Sequence, residues 1–300
     1  MKRIFLIPLI FLLAFAACSE KTKTIYIATT IHPIAQIIKQ IAPDGVDIVC
    51  LVPPGQSPHT FSLTPSEQLK LESASAIIYV SNELDGWAAK TDNKHKICLV
   101  DLLPDSLTLY FNEEHKHSDS DIEHSEHKFI KDPHFWTDPL AVKSILDTLS
   151  KMLKQIFKDN PEFNSQIAHK TVSFANELDN LHTELLLQMT TIENRPVFLF
   201  HPSMRYFLKR YRLQYMGAIE TSPGKEPTPN YIAEIIEKIK SSEAKAIFSE
   251  PQLPDKIATM IAEAAAVNLI MLDPIGGLEG RVSYFDLIKF NAENIRKALE

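Results

Sequence analysis

Short runs of β-branched and aromatic residues alternate with helical patterns along the chain, and this alternation limits the possible folds more than any other feature. The predicted strands are Thr24–Ala28, Val46–Val52, Ala76–Val80 and Ile97–Leu102 in a first set, and Val197–Phe200, Gln214–Ile219, Ala246–Ser249 and Leu269–Leu272 in a second. Helical segments lie between them. One begins at Thr64, where Thr-Pro-Ser-Glu is a capping box with proline at the first helical position. The pattern predicts an α/β fold with two sets of four parallel strands.

A stretch without glycine or proline, residues 164–192, separates the two sets and predicts one long helix of ~44 Å. Its apolar residues recur at steps of three or four, which predicts one buried stripe: Ala168, Val172, Ala175, Leu178, Leu181, Leu185 and Met189. We interpret the helix as a strut between an N-terminal lobe, 18–163, and a C-terminal lobe, 193–300. The alternative is an ordinary surface helix of one domain.

The N-terminus has the pattern of an export signal. Met-Lys-Arg supplies positive charge, and the apolar run Ile4–Ala16 is too short for a bilayer span of ~20 residues. The four residues that end at Cys18, Phe-Ala-Ala-Cys, resemble a bacterial lipoprotein box, which implies removal of residues 1–17 and a lipid on Cys18. The alternative is a plain secretory signal with an incidental cysteine. Both interpretations place the mature chain outside the cytoplasm, on the periplasmic or cell-surface side.

Composition narrows the class of protein further. The 300 residues are 45% hydrophobic and 23% charged, which is typical of a globular chain and excludes disordered, collagen-like and coiled-coil proteins. The net charge of −7 argues against a nucleic-acid partner. Cys50 and Cys98 each lie in an apolar run and are interpreted as buried free thiols, although an exported protein could also pair them.

Segment 113–128 has a composition unlike the rest of the chain. It contains six acidic residues and four histidines, His115, His117, His124 and His127. Such a segment cannot form a core, and we interpret it as a mobile loop. Histidine among carboxylates favours loose capture of divalent metal ions by exchangeable ligands, and the alternative is a merely solvated acidic loop.

Three other histidines lie beside proline where a strand ends or a turn begins: His59, His134 and His201. His201 follows a predicted strand directly, and Asp273 follows another. Ligands of open α/β sheets bind at the carboxyl ends of strands, so these side chains are candidates for one site in a cleft between the lobes. Three imidazoles and a carboxylate suit Zn²⁺. Each residue alone could equally be a turn or capping residue.

Four motifs closely resemble the metal-ligand motifs of the solute-binding lipoproteins of zinc and manganese ABC importers, the ZnuA-like or TroA-like family. They are PPGQSPHTFSLTPSEQL at 53–69, DPHFWTDP at 132–139, FHPSMRYFLKRY at 200–211 and LDPIGG at 272–277. The resemblance runs from about Thr24 to the C-terminus. It implies two Rossmann-like lobes joined by one rigid backbone helix.

The resemblance also implies the metal ligands. They fall on His59, His134, His201 and Asp273, with water as the alternative to Asp273. A third imidazole at His201 favours Zn²⁺ over the oxygen-preferring Mn²⁺. His32, at the start of the first predicted helix, is interpreted as a structural or supporting residue, with an accessory ligand role left open.

The leading hypothesis is a monomeric, lipid-anchored binding protein that captures Zn²⁺ and delivers it to an ABC permease driven by a cytoplasmic ATPase. Manganese or iron(II) is the alternative cargo. Because imidazole must be neutral to bind zinc, affinity should fall as pH drops through the ordinary histidine pKa near ~6.5.

Two other classes of function compete with this hypothesis. A zinc hydrolase would need a general base, for which Glu250 and Glu220 are candidates, but the sequence has no HExxH motif. An adhesin-type lipoprotein would not need four clustered ligands.

Overall fold

The fold is described from a computed structural model, which covers residues 25–111, 130–220 and 227–300. The predicted signal peptide, Cys18 and the His-rich segment 113–128 lie outside the described residues.

The chain up to residue 192 alternates strands and helices and ends in two long helices. Its elements are β1 (Tyr26–Thr29), α1 (His32–Ile41), β2 (Asp47–Cys50), α2 (Pro65–Ser73), β3 (Ala76–Tyr79), α3 (Asn82–Asp85), β4 (Lys96–Cys98), β5 (Tyr110–Phe111), β6 (Ile130–Lys131), α4 (Pro139–Ile156) and α5 (Pro161–Met189). The predicted capping box is present: the Thr64 side chain accepts from the Glu67 amide, and the Glu67 carboxylate accepts from the Thr64 amide.

The remainder of the chain repeats the alternation. Its elements are β7 (Pro196–Leu199), α6 (Arg205–Arg210), β8 (Gln214–Ala218), α7 (Pro229–Ser241), β9 (Ala246–Ser249), α8 (Lys256–Ala265), β10 (Asn268–Met271) and α9 (Tyr284–Leu299).

Two four-stranded sheets form the frame, with strand orders β2-β1-β3-β4 and β10-β9-β7-β8. Every strand pair in both sheets is parallel. The predicted α/β class with two four-stranded parallel sheets is therefore confirmed. Parallel strands end at a common edge, so the loops that leave them there converge and can build a site.

A two-stranded hairpin, β5 and β6, is absent from the sequence prediction. Tyr110 pairs with Lys131 and Phe111 with Ile130 in antiparallel register. Two residues per strand are too few for a period-two pattern to register in the sequence. The hairpin pairs the segment before the His-rich segment with the segment after it.

Helix α5 begins at Pro161, with Asn160 as its cap, and gives way to a short 3₁₀ turn over Thr190–Ile192. The predicted stripe is right in its C-terminal half, where Leu178, Leu181, Leu185 and Met189 are buried. It is wrong in the N-terminal half. There the buried residues are Ile167 and Phe174, whereas Val172 is 63% exposed. Phe174 packs edge-to-face against Tyr284 and Phe285 of α9, which places this residue rather than Val172 in the core.

One hydrophobic core extends through both halves of the molecule. It contains Ile27 and Ile34 from the first half, Phe174 and Leu178 from α5, and Leu272 from the second half, together with other buried residues. Helix α5 contacts α1, α4 and α9, so it lies at the centre of this core. A second cluster fills the space between the second sheet and helices α7 and α8.

Cys50 and Cys98 are both free thiols, as interpreted from the sequence. They lie on β2 and β4, the two opposite edge strands of the first sheet. A disulfide between them is therefore incompatible with this fold. Within the described part of the chain, no helix combines the length and apolar character that crossing a bilayer requires.

Candidate metal site

Three loops that follow strands bring the candidate histidines together. His59 lies in the long connection between β2 and α2, His134 lies three residues after β6, and His201 lies two residues after β7. Proline beside each histidine fixes the local backbone: Pro58, Pro133 and Pro202. The first two loops belong to the first half of the molecule and the third to the second half.

The three imidazoles form a compact triangle. Their ring centroids lie 5.7 Å apart for His59 and His134, 5.2 Å for His59 and His201, and 5.0 Å for His134 and His201. One nitrogen of each ring lies within 4.8 Å of the others. Tetrahedral zinc with Zn–N bonds of ~2.0–2.1 Å separates its nitrogen ligands by about 3.4 Å. Small side-chain shifts therefore convert this triangle into three ligands of one ion.

The environment of the cluster favours neutral imidazole. His134 and His201 are 3% and 4% exposed, and His59 is half-buried. Burial, followed by the nearby His134 and His201, lowers the pKa of His59 to about 2. Burial also lowers the pKa of His134, although Asp132 opposes the shift. Neutral rings keep a lone pair free for a metal ion.

His59 supplies the clearest sign of a missing partner. Its Nε2 atom is buried and has no hydrogen-bond partner. Buried polar side-chain atoms are almost always satisfied in folded proteins, so an unpaired nitrogen on a ring that lies beside two other imidazoles needs an explanation. A bound metal ion is the explanation that the donor set supports.

Asp132 orients His134. Its Oδ1 atom lies 2.8 Å from His134 Nδ1 and also accepts from the His134 backbone amide at 3.0 Å. An aspartate two residues before a histidine forms this local turn readily. Because Nδ1–H donates a hydrogen bond to the carboxylate, the lone pair resides on Nε2, the usual arrangement for a metal-binding histidine.

Glu250 lies against His201. Its Oε1 atom is 3.5 Å from His201 Nδ1 and accepts a hydrogen bond from the Ser203 hydroxyl. Both acidic candidates of the sequence analysis are buried, and Glu250 lines the small cavity around the three imidazoles. Glu220 lies two residues after the end of β8, where its amide donates to the Phe200 carbonyl.

Asp273 is completely buried but has other partners. One carboxylate oxygen accepts from Gln252 Nε2 and from the Ile275 and Gly276 amides at 2.8–3.0 Å. The other forms an ion pair with Arg281, 2.9 Å from Nε, although neither atom has a partner in hydrogen-bond geometry. Among the described residues, the cluster of potential ligands that the structure brings together consists of the three histidines. Asp273 therefore organises the turn after β10 in this conformation.

Contacts between the two halves surround the cluster. Trp136 is fully buried; its indole donates to the Pro274 carbonyl at 2.7 Å, and its own carbonyl accepts from the Tyr284 hydroxyl at 2.8 Å. His32 Nε2 lies 2.8 Å from the Val282 carbonyl. His32 thus ties α1 to the second half, which agrees with its interpretation as a supporting residue.

The structure brings together the three histidines predicted from the sequence, and it adds supporting residues that were not predicted. Asp132 was inside a quoted motif without an assigned role, and its spacing from His134 could have revealed it. Ser203 and Arg281 carry no local signal, because their partners lie far away in the sequence or depend on a turn that only the fold defines.

Three imidazoles, two of them buried, meet here from loops of both halves of an α/β protein, which is the arrangement of a metal-binding protein with its site between two halves. Residues 27–298 match the family model of ZnuA, the periplasmic component A of a zinc-uptake complex, and the chain belongs to this family.

Several relatives are similar over most of the chain. The high-affinity zinc uptake system protein ZnuA of Bacillus subtilis is 25% identical over 319 residues, covering 99% of this chain and 97% of its own. The zinc-binding lipoprotein AdcA of Streptococcus pneumoniae R6 is 25% identical, but the chain spans only 54% of its length. A crystal structure of ZnuA has a TM-score of 0.78 and 25% identity, with coverage of 92% of this chain and 100% of that chain.

Proposed function

We propose that the protein is the extracytoplasmic solute-binding component of an ABC importer and that Zn²⁺ is its cargo, bound by His59, His134 and His201. The observation that carries this proposal is the unpaired, buried Nε2 of His59, on a ring that lies beside those of His134 and His201. Membership in the zinc-uptake family and the zinc-binding names of its relatives support the cargo.

Three nitrogen donors favour zinc over manganese. Imidazole suits Zn²⁺, whereas Mn²⁺ prefers carboxylate, carbonyl and water oxygens. The residues nearest the cluster supply few free oxygens, because Glu250 is held by Ser203 and Asp273 by Arg281. Manganese or iron(II) in the same role is the weaker alternative.

The fourth coordination position distinguishes two versions of the site. The family resemblance assigns Asp273 to it, which requires the carboxylate to exchange its contact with Arg281 for the metal. Water is the other candidate. We propose that the three imidazoles provide most of the affinity and that Asp273 contributes chiefly by shaping the turn.

Three further parts of the proposal fall on residues outside the described ranges or on partners. Cys18 carries a lipid that anchors the chain on the outer side of the membrane after removal of residues 1–17. The four histidines of segment 113–128 collect zinc loosely near the cleft. A membrane permease with a cytoplasmic ATPase receives the ion from a monomer of this chain.

We further propose that the protein does no chemistry on its cargo. In this interpretation Glu250 positions His201 and does not act as a general base. Steady hydrolysis of activated esters or phosphate esters by the zinc-loaded chain, lost in Glu250→Gln, would instead favour the hydrolase alternative.

The deciding experiment measures zinc stoichiometry and affinity in a chain without the His-rich segment. The pairing of Phe111 with Ile130 allows residues 112–129 to be replaced by the two-residue turn Asn-Gly, which closes a hairpin naturally. After chelator stripping, this chain should bind one zinc ion tightly.

His201→Ala should weaken that binding by more than about 100-fold, above the range for the outer partners of a metal ligand. His169→Ala, which removes an exposed histidine of α5, is the matched control and should bind zinc as the parent does. Absence of tight zinc, or equal binding by both variants, would disprove the proposed ligands.

A further inference from the structure

Arg205 joins three parts of the molecule that meet beside the metal cluster. It is the first residue of α6 and lies four residues after His201. Its guanidinium donates to Asp132 Oδ2 at 3.1 Å and to the Tyr110 carbonyl at 3.1 Å. It also lies over the rings of Phe111 and Tyr215, at 4.7 Å and 5.6 Å from their centroids.

Asp132 shares its two oxygens between Arg205 and His134. Oδ1 accepts from His134, while Oδ2 accepts from Arg205. The carboxylate is completely buried, and the Arg205 side chain is only 19% exposed. A buried carboxylate without a cation turns toward water or changes its hydrogen bonding, so Arg205 sets the orientation in which Asp132 can hold the His134 ring.

The neighbouring Tyr206 reinforces the same arrangement. Its hydroxyl donates to the Asp132 carbonyl at 3.0 Å and accepts from the Leu109 amide at 3.0 Å. The start of α6, in the second half of the molecule, therefore contacts both the carboxylate and the backbone of the residue that orients a ligand in the first half.

From these contacts we infer that Arg205 is a positioning residue for metal binding, which fixes the tautomer and direction of His134 through Asp132 and ties that ligand to the chain segment carrying His201. This inference rests on the proposed function for the identity of the cargo. Arg205 touches no ligand ring itself and acts one step further out than Asp132.

The chain contains a matched control on the same helix. Arg210 pairs with Asp138, with Nε 2.9 Å from both carboxylate oxygens, and the two side chains are 23% and 5% exposed. Asp138 caps the start of α4 by accepting from the Leu140 amide. Arg205→Gln and Arg210→Gln therefore each break a largely buried arginine–aspartate pair of α6, but only the first pair leads to a cluster histidine.

The first test measures zinc affinity by chelator competition in the chain with residues 112–129 replaced by Asn-Gly. Arg205→Gln should weaken zinc binding by about tenfold or more, the lower end of the effect of outer partners of metal ligands. Arg210→Gln should change the affinity by less than about twofold while lowering the melting temperature. Arg205→Lys, which keeps the charge but not the fork of donors, should restore part of the affinity.

A double-mutant cycle separates positioning from general support. If Arg205 acts through Asp132, then adding Arg205→Gln to Asp132→Asn should weaken zinc binding by less than about twofold beyond Asp132→Asn alone. Equal affinities for Arg205→Gln and Arg210→Gln, or effects of Arg205→Gln and Asp132→Asn that multiply, would overturn the inference.

The ¹⁵N resonances of His134 in the metal-free chain distinguish failure of this inference from failure of the proposed function. The parent and Arg210→Gln should show a proton on Nδ1, and Arg205→Gln should show a growing share of the Nε2 tautomer. If Arg205→Gln shows this tautomer shift but the parent chain binds no zinc, the cargo is disproved and the positioning role is kept. A chain that binds zinc without any tautomer shift would disprove the positioning role.

Discussion

The three cluster histidines differ in how the protein holds them. His134 has a hydrogen-bonded carboxylate behind it, His201 lies beside Glu250, and His59 has a bare Nε2. A metal ion would therefore meet one ligand that is fully oriented before binding and one that gains its only strong partner on binding. Preorganisation of this kind makes affinity sensitive to residues that never touch the ion.

The lowered pKa values change the expected pH dependence of zinc binding. Three competing imidazoles with the ordinary pKa near 6.5 would weaken binding several hundredfold, roughly, between pH 7 and pH 5.5. Because the pKa of His59 is lowered to about 2 and that of His134 is also lowered, protons compete little for either ring.

We therefore expect affinity to fall with pH in this window, but by less than about thirtyfold. Competition with a chelator calibrated separately at each pH measures the loss. A several-hundredfold loss would show that the empty cluster accepts protons freely.

Asp273 should matter more for stability than for zinc affinity. Its fully buried carboxylate pairs with Arg281, whose side chain is 11% exposed, and removal of one partner of such a pair costs about 3 kcal/mol. Asp273→Asn should therefore lower the free energy of unfolding of the metal-free chain by about that amount while changing zinc affinity less than about tenfold.

Denaturant unfolding and chelator competition test the two halves of this prediction. A loss of affinity like that of His201→Ala, with unchanged stability, would instead make Asp273 a ligand.

At the residue scale, the candidate ligands could be predicted from the sequence because four motifs resemble the metal-ligand motifs of a known family. Each histidine beside proline, taken alone, could equally be a turn or capping residue. What the sequence could not show is which of the candidate side chains are already paired with another residue. Arg281 lies only eight residues after Asp273, yet nothing in the spacing reveals that the turn returns its guanidinium to that carboxylate.

At the scale of elements, α5 shows the limit of prediction from hydrophobic periodicity. In its N-terminal half, steps of three or four residues fit two possible buried stripes, one through Val172 and one through Phe174. The sequence alone does not choose between them. In the fold, Phe174 packs against Tyr284 and Phe285 of α9 and is 1% exposed, whereas Val172 faces solvent.

This register predicts opposite outcomes for two truncations on one helix. Phe174→Ala should lower the free energy of unfolding by about 3–5 kcal/mol, because a large buried ring leaves a cavity. Val172→Ala should change it by no more than about 0.5 kcal/mol. Urea titrations of both variants measure the difference, and similar effects would refute the observed register.

The eight main strands were predictable because each is a compact run of apolar, mostly β-branched or aromatic residues. The predictions for β9 and for the starts of β3 and β8 matched to the residue, and the other boundaries shifted by only a few residues. Hairpin β5–β6 was not predictable from its own four residues. Its surroundings include Arg205, which donates to the Tyr110 carbonyl, and Tyr206 and Asp132, which hydrogen-bond to the backbone of Leu109.

At the scale of the whole molecule, the shared core argues for cooperative unfolding. The largest core cluster contains residues of both halves and of α5, so the two halves share most of their buried apolar residues. We expect calorimetry of the metal-free chain to show one transition with equal calorimetric and van't Hoff enthalpies.

Zinc should move that single transition to higher temperature as a whole. At free zinc of 1,000 times Kd, the free energy of unfolding should rise by about 4 kcal/mol. Two resolved transitions, or a zinc shift that persists in His201→Ala, would contradict this picture.

The contact of α9 with both α1 and α5 affects how the chain can fold during its synthesis. Translation delivers α1 well before α9, since the two helices occupy residues 32–41 and 284–299. The part of the core between α9 and its neighbours α1 and α5 therefore cannot close until α9 has been synthesised. A growing chain of this protein stays incompletely packed until then, which is compatible with export before folding is complete.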